Sequence, residues 1–222
     1  MSNQHGHGDH SNEQGSSHPG ASQDAELGHY ARRVQALEAL LTEKGICTQG
    51  EIQRAVEETE ARSPADGARV VARAWVDSEF KARLLANAKA AVAELGYEAA
   101  ADLPDLVVAE NTDKQHHLVV CTLCSCYPTW LLGRPPDWYK SLTYRSRAVV
   151  DPRGVTREFG LELEPNVEVR VLDSTADIRY LVLPQRPDGT EGLSEEELAR
   201  LVTRDSMVGV SNPHVPEPAP AD

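Results

Sequence analysis

The sequence predicts an α+β fold in which a helical N-terminal arm precedes a domain mixing strands and helices. Three observations carry this. Between about residues 30 and 95, apolar residues recur at helical spacing, punctuated by capping residues and glycines. From about residue 104, short apolar runs bounded by turn-formers take over. One of these runs, Leu118-Val119-Val120, leads directly into a cluster of cysteines.

Residues 1–25 are rich in Gly, Ser, His, Gln and Asn and lack the apolar surface that would offset ordering entropy, so they are expected to be a disordered tail. His5, His7, His10 and His18 within it can hold a metal only loosely, because a floppy segment is not preorganised. Residues 26–103 form the expected helical region. Tyr30, Val34, Leu37, Leu40 and Leu41 mark a first helix that Gly45 can end. Thr48 with Glu51 forms a capping box for a second, carrying Ile52 and Val56. Pro64 breaks the chain before a third, with Val70, Val71, Ala74 and Trp75. Asp77 caps a fourth, which presents Phe80, Leu84, Leu85, Ala88, Val92 and Leu95 and stops at Gly96.

Residues 104–210 form the expected α/β domain. Leu106–Ala109 and Leu118–Val120 read as buried strands separated by the turn-prone Asn111-Thr112-Asp113. Pro135-Pro136-Asp137 opens a helix through Trp138 and Tyr139, and Asp151-Pro152 opens another that Gly160 ends. Val167–Val171 alternates as a half-exposed strand, with Ile178–Leu183 as its expected hairpin partner across Ser174–Asp177. Ser194 with Glu197 caps a final helix, and residues 211–222 form a Pro-rich tail.

The formal net charge of −13 over 222 residues argues against nucleic acid or an anionic membrane as partner. No apolar run has the length of a membrane-spanning helix, and no secretory signal is visible, so a cytoplasmic location is expected.

Of the four cysteines, Cys121, Cys124 and Cys126 lie within six residues, a clustering unlike a disulfide framework. Cys47 reads as a small buried residue of the helical region. Three soft sulfurs on one loop suit zinc, an iron–sulfur cluster, copper(I) or a trivalent low-spin ion. A structural zinc needs a fourth ligand, for which His116 and His117 are the nearby candidates, and a cluster would need the distant Cys47. The spacing also permits a less common arrangement. A metal on the sulfurs of Cys124 and Cys126 has the peptide nitrogens of Ser125 and Cys126 between them, with Cys121 as an axial ligand. Three sulfurs and two amides leave one octahedral position open, and amide deprotonation asks for a strongly Lewis-acidic trivalent ion.

Val119-Val120-Cys121-Thr122-Leu123-Cys124-Ser125-Cys126-Tyr127-Pro128 closely resembles the metal-binding signature of nitrile hydratase α subunits. The resemblance extends to Ala74-Trp75-Val76-Asp77, Pro135-Pro136-Asp137-Trp138-Tyr139-Lys140, Tyr144-Arg145-Ser146-Arg147, Asp151-Pro152-Arg153 and Thr203-Arg204-Asp205-Ser206-Met207, covering roughly residues 28–210. It implies a layered α/β/β/α domain after the helical arm. It also implies a non-corrin metal centre with Cys121, Cys124, Ser125 and Cys126 as ligands, Cys124 oxidised to sulfinate and Cys126 to sulfenate. Thr122, which stands where cobalt-type members carry Thr, points to trivalent cobalt (Co3+), one per chain, over iron.

The implied reaction is hydration of a small-molecule nitrile to its carboxamide, a hydro-lyase activity, with Cys126 and Ser125 catalytic. The metal would act as Lewis acid toward the nitrile or a bound water. The implied partners are a β subunit, in an αβ or α2β2 assembly, and an activator that loads cobalt. Thiocyanate hydrolase shares the signature and is the alternative, and a non-enzymatic metal carrier is a second. The family's usual Pro-Trp-Pro run is here Pro128-Thr129-Trp130, which makes Thr122, Thr129 and Trp130 candidates for the substrate pocket. The stretch from Glu98 to Asp105 also lacks the Gln-Gly common in the family. Arg145, Arg147 and Arg153 are candidates to steady the anionic centre or the subunit interface, against ordinary surface ion pairing. Trp138, Tyr139 and His116 read as packing or structural residues.

Overall fold

A computed structural model of the chain describes residues 19–215, with side chains from residue 28 onward. The expectations placed on His5, His7, His10 and His18, and on residues 216–222, lie outside the described residues. The chain divides into two units, Met1–Val56 and Glu57–Asp222.

In the first unit, helix α1 spans Pro19–Glu43 and so begins within the segment expected to be a tail. Proline suits a first helical position because its φ is already helical, and Ala21, Gln23, Ala25 and Glu26 are good helix formers. The stripe of Tyr30, Val34, Leu37, Leu40 and Leu41 is present and solvent-exposed. Gly45, at φ 66°, ends the helix region as expected. The Thr48–Glu51 capping box forms, with the Thr48 amide donating to Glu51 Oε2 at 2.7 Å, and starts α2 (Gln49–Ala61), whose last turn falls past the boundary at Val56.

In the second unit, Ser63 and Pro64 start α3 (Pro64–Val76), whose Val70, Val71 and Ala74 are buried. Asp77 caps α4 (Ser78–Ala86), accepting from the Phe80 amide at 2.8 Å. The single helix expected through Leu95 is two. Asn87, at φ −152°, ends α4 and caps α5 (Ala88–Ala93) by accepting from the Ala90 amide. Asparagine competes for backbone donors in this way, which helical periodicity does not register.

Strands β1 (Asp105–Glu110) and β2 (Gln115–Val120) form where expected, but they belong to different sheets. Four short helices follow: α6 (Thr129–Leu132), α7 (Asp137–Lys140), α8 (Leu142–Val150) and α9 (Pro152–Glu158). Strands β3 (Glu168–Asp173) and β4 (Ile178–Leu183) are not the expected hairpin. Instead β3 runs parallel to β2, with Val120 opposite Asp173, and β4 runs parallel to β1, with Glu110 opposite Leu183. The link between them changes sheets at Thr175, whose hydroxyl oxygen accepts from the Asp177 and Ile178 amides. Intervening helices carry the chain back far enough for parallel pairing, and the continuous apolar run Leu181-Val182-Leu183 suits a strand covered on both faces. Beyond α10 (Glu195–Leu201), a further helix, α11 (Arg204–Val208), is capped by Thr203. It was not expected, because five residues are too few for a periodic signal.

Helices α4 and α5 pack on β1, α8 on β2 and α9 on β3, while β4 meets β2 between the sheets. The result is a small parallel β core flanked by helices. Among the described residues, no helix is long and apolar enough to cross a membrane.

Gly209 closes α11 at φ 89°, and a Cβ there would lie 1.9 Å from the His117 carbonyl oxygen on β2. Backbone against backbone cannot yield as a flexible side chain can. Gly209→Ala is therefore expected to destabilise the fold by at least about 2 kcal/mol, combining left-handed strain with the clash. That loss lowers Tm by roughly 4–8 °C. A thermal melt within a degree of the unmodified chain would show that α11 is free to move away.

Candidate metal centre

Strand β2 ends at Val120, and the next residue begins the cysteine segment. Cys121 is buried, Cys124 and Ser125 are exposed, and Cys126 is half-buried. The Cys124 sulfur lies 3.4 Å from that of Cys121 and 3.1 Å from that of Cys126. All three sulfurs lie within 4.8 Å of one another, and among the described residues no histidine, carboxylate or fourth cysteine joins the group.

These separations test which ion the residues fit. Two sulfurs about 2.3 Å from one ion stand roughly 3.3 Å apart at a right angle and roughly 3.8 Å apart at the tetrahedral angle. The observed 3.1 and 3.4 Å match neighbouring octahedral positions better than a tetrahedral zinc. The Ser125 and Cys126 amide nitrogens lie between the Cys124 and Cys126 side chains along the chain. That leaves the two expected amide donors inside the same small loop.

Hydrogen bonds from the Cys126 and Cys121 thiols, followed by those amides, lower the Cys124 pKa to about 7. Burial, with Cys124 and Cys121 beside it, pushes Cys126 up to about 12.

Several side chains hold the segment. The Thr122 amide and hydroxyl both donate to the Asp173 carboxylate, at 2.9 and 2.6 Å. Arg145 donates from Nε to the Cys121 carbonyl at 3.0 Å and from its terminal nitrogen to the Thr122 carbonyl. The Tyr139 hydroxyl donates to the Cys126 carbonyl at 2.9 Å; outside the segment, the Tyr144 hydroxyl donates to the Val119 carbonyl on β2 at 2.6 Å. Burial raises the pKa of both phenols, so both stay protonated donors.

Sequence reasoning identified the sulfurs but missed Asp173, and it read Tyr139 as packing. Asp173 is visible as a carboxylate at the end of an alternating strand. Its role needs the parallel pairing that sets it opposite Val120.

The other candidates separate. Arg147 pairs with Glu158 and Asp151, and Arg153 donates to the carbonyls of Leu163, Glu164 and Val167, so neither is spent on the cysteine segment. Thr122 has its hydroxyl engaged by Asp173. Thr129 is exposed at the head of α6, whereas Trp130 lies in the hydrophobic core at 7 % exposure. Among the described residues, the Trp130 indole N–H has no hydrogen-bond partner.

His116 is 4 % exposed, and both its ring nitrogens are used. Nδ1 lies 3.1 Å from the Asn111 side-chain nitrogen and Nε2 lies 2.8 Å from the Gly209 carbonyl. The first must accept and the second donate, which describes a neutral structural imidazole and removes the nearest fourth ligand for zinc. Burial is the main cause of the lowered pKa of both His116 and His117. The unfolded chain therefore binds protons that the fold resists. This contribution to stability is intact above the unfolded value of about 6.5 and is lost as pH falls toward the folded values. The urea midpoint is expected to drop between about pH 6.5 and 5, and to drop less in His116→Gln. Identical pH profiles for the two proteins would show that His116 is not the group responsible.

The family model described as nitrile hydratase, alpha chain, matches residues 28–211. The chain is 54% identical over 191 residues to the low-molecular weight cobalt-containing nitrile hydratase subunit alpha of Rhodococcus rhodochrous, covering 85% of this chain and 91% of that one. It is 39% identical over 188 residues to the thiocyanate hydrolase subunit gamma of Thiobacillus thioparus, covering 80% and 77%. Among solved structures, a double mutant of the Fe-type nitrile hydratase from Comamonas testosteroni Ni1 superposes with a TM-score of 0.80 at 42% identity. It covers 88% of this chain and 97% of that one.

Proposed function

The chain belongs to the nitrile hydratase α-chain family, and from that premise we propose that its cysteine segment holds one trivalent cobalt ion. As a metal-bearing α subunit it acts with a β subunit to hydrate nitriles to carboxamides. The observation that carries the metal reading is the grouping of three sulfurs within 4.8 Å of one another, with two amides between Cys124 and Cys126 that could serve as further donors. Cobalt over iron is supported by Thr122 within the signature and by the identity to cobalt-containing relatives, against the likeness to the Fe-type structure.

Cys121, Cys124 and Cys126 would supply sulfurs, and Ser125 and Cys126 amide nitrogens. When bound, the ion supplies Lewis acidity toward the nitrile. Cys124 as sulfinate and Cys126 as sulfenate stand on successive rungs of thiol oxidation. The Cys126 sulfenate oxygen would either take a proton from the water that adds to the nitrile carbon, or attack that carbon itself, in which case its S–O bond breaks and the oxygen of water replaces it on sulfur. On either route one water is consumed, one oxygen ends on carbon and two protons end on nitrogen. Ser125, exposed beside Cys126, offers a hydroxyl that can pass one of those protons. Cobalt loading through an activator protein belongs to the same reading, since an inert trivalent ion exchanges slowly.

The test is the complex with its β subunit, assayed on a small nitrile and on thiocyanate, with metal analysis and peptide mass spectrometry of residues 118–134. The expected result is nitrile turnover, one chelator-resistant cobalt, two added oxygens on Cys124 and one on Cys126. Thiocyanate turnover without nitrile turnover would assign the chain to the sister activity. Three unmodified cysteines in active enzyme would remove the sulfenate role.

Thr129, exposed at the head of α6 next to the cysteine segment, is proposed to border the substrate pocket. Thr129→Trp is expected to shift preference toward small aliphatic over aromatic nitriles by about 10-fold, as overfilling penalises bulk. An unchanged activity ratio would place the position outside the pocket.

A further inference from the structure

The last cysteine of the segment is held from beneath by a side chain that its position in the sequence marks as packing. Tyr139 is fully buried and lies on α7. Its ring meets Tyr127 edge-on at 5.3 Å, Trp138 edge-on at 6.0 Å and Tyr144 in a tilted contact at 5.7 Å. These contacts fix the ring, and with it the hydroxyl, which donates to the Cys126 carbonyl at 2.9 Å. Two χ angles locked by three aromatic neighbours make a rigid support at little further entropic cost.

We infer that Tyr139 is a positioning residue for the metal centre, its hydroxyl orienting the Cys126 backbone and thereby both the amide nitrogen and the sulfur of that residue. Cys126 is the residue asked to offer two donor atoms, its amide nitrogen and its side-chain sulfur, so its backbone and χ1 torsions decide whether both point inward together. The segment's other holds fall nearer its start. Asp173 holds Thr122, and Arg145 holds the carbonyls of Cys121 and Thr122. Among the described residues, the Tyr139 hydroxyl is the side-chain donor recorded on the backbone of Cys126. Removing it leaves a part-buried carbonyl without that bond and frees the segment's trailing end. Partners that orient a ligand cost about 10–100-fold in metal affinity or activity when lost.

The inference rests on the nitrile hydratase reading, and the test separates the two. The complex with the β subunit is prepared with Tyr139→Phe, which keeps the ring, and with Tyr144→Phe. The second change removes a comparable buried hydroxyl, one bonded to Val119 on strand β2. Metal content, the sulfur-to-metal charge-transfer absorption, kcat and KM are measured for each, together with Tm.

Tyr139→Phe is expected to shift the absorption band and lower kcat by about 10–100-fold with KM within about 2-fold. Tyr144→Phe is expected to lower Tm and leave the band in place. Because Tyr139→Phe can fail to assemble, fluorotyrosine at position 139 is measured as well. It keeps ring and hydroxyl, makes a stronger donor, and is expected to move the band in the opposite direction. Bands and kcat unchanged in Tyr139→Phe, or an unmoved band with fluorotyrosine, would overturn the positioning role while leaving the family reading intact. An unmodified complex with neither the band nor nitrile turnover would overturn the reading on which it rests.

Discussion

Cys126→Ala, prepared as the complex with the β subunit, is expected to lose nitrile turnover by well over the roughly 100-fold typical of a supporting residue. The substitution removes a sulfur 3.1 Å from Cys124 and, on the proposed mechanism, the oxygen that reacts. Cys121→Ala is expected to be as severe by another route. Its buried sulfur lies 3.4 Å from Cys124 and accepts from the Cys124 amide at 3.3 Å, so its loss both removes a donor and loosens the turn. Metal analysis separates the two, with cobalt depleted most in Cys121→Ala. Cys47→Ala provides the control, since Cys47 is not in the sulfur group and its loss should leave metal content and turnover unchanged. Turnover within about 10-fold of the unmodified enzyme in Cys126→Ala would remove that residue from the chemistry.

The chain prepared alone and loaded with cobalt is expected to show no nitrile turnover until its β subunit is added, after which the rate rises by at least about 100-fold. The physical reason is on the surface of the site. Leu123 is 85 % exposed, and Cys124 and Ser125 are exposed beside it. A site that stabilises developing charge must exclude water, and this one is open in the isolated chain. Oxidation of two cysteines would add negative charge that needs paired donors once buried. Arg145 is committed to the Cys121 and Thr122 carbonyls, Arg147 to Glu158 and Asp151, and Arg153 to the segment from Leu163 to Val167. Among the described residues, Arg179 is the cation whose charge favours the Cys126 thiolate. The lid and the missing positive charge are therefore expected from the β subunit. Full turnover by the isolated chain would show that the loop closes on itself.

Much of the local structure was legible because its causes are local. The boxes at Thr48–Glu51 and Ser194–Glu197 and the caps at Asp77 and Asp151 each use a side chain within three residues of the amide it serves. The sulfur triad was legible for the same reason, since three cysteines within six positions suffice to place soft donors together. Asn87 was misread because periodicity averages over a whole helix, whereas one side chain accepting from Ala90 breaks it.

By itself, the sequence determined the α+β class, the family, the capped helix starts at Thr48, Asp77, Asp151 and Ser194, and the presence of three sulfurs on one loop, all set by short-range chemistry or by a contiguous signature. Only the tertiary structure decided the strand partners, which run β2 with β3 and β1 with β4 in parallel rather than as a hairpin. Alternation within a strand specifies which face is buried and not which strand lies alongside. That pairing brings Asp173 to Thr122, and the packing of α7 and α8 brings Tyr139 and Arg145 to the cysteine backbone. Those bonds join residues separated by 51, 13 and 24 positions, and no local rule relates them until the core has closed.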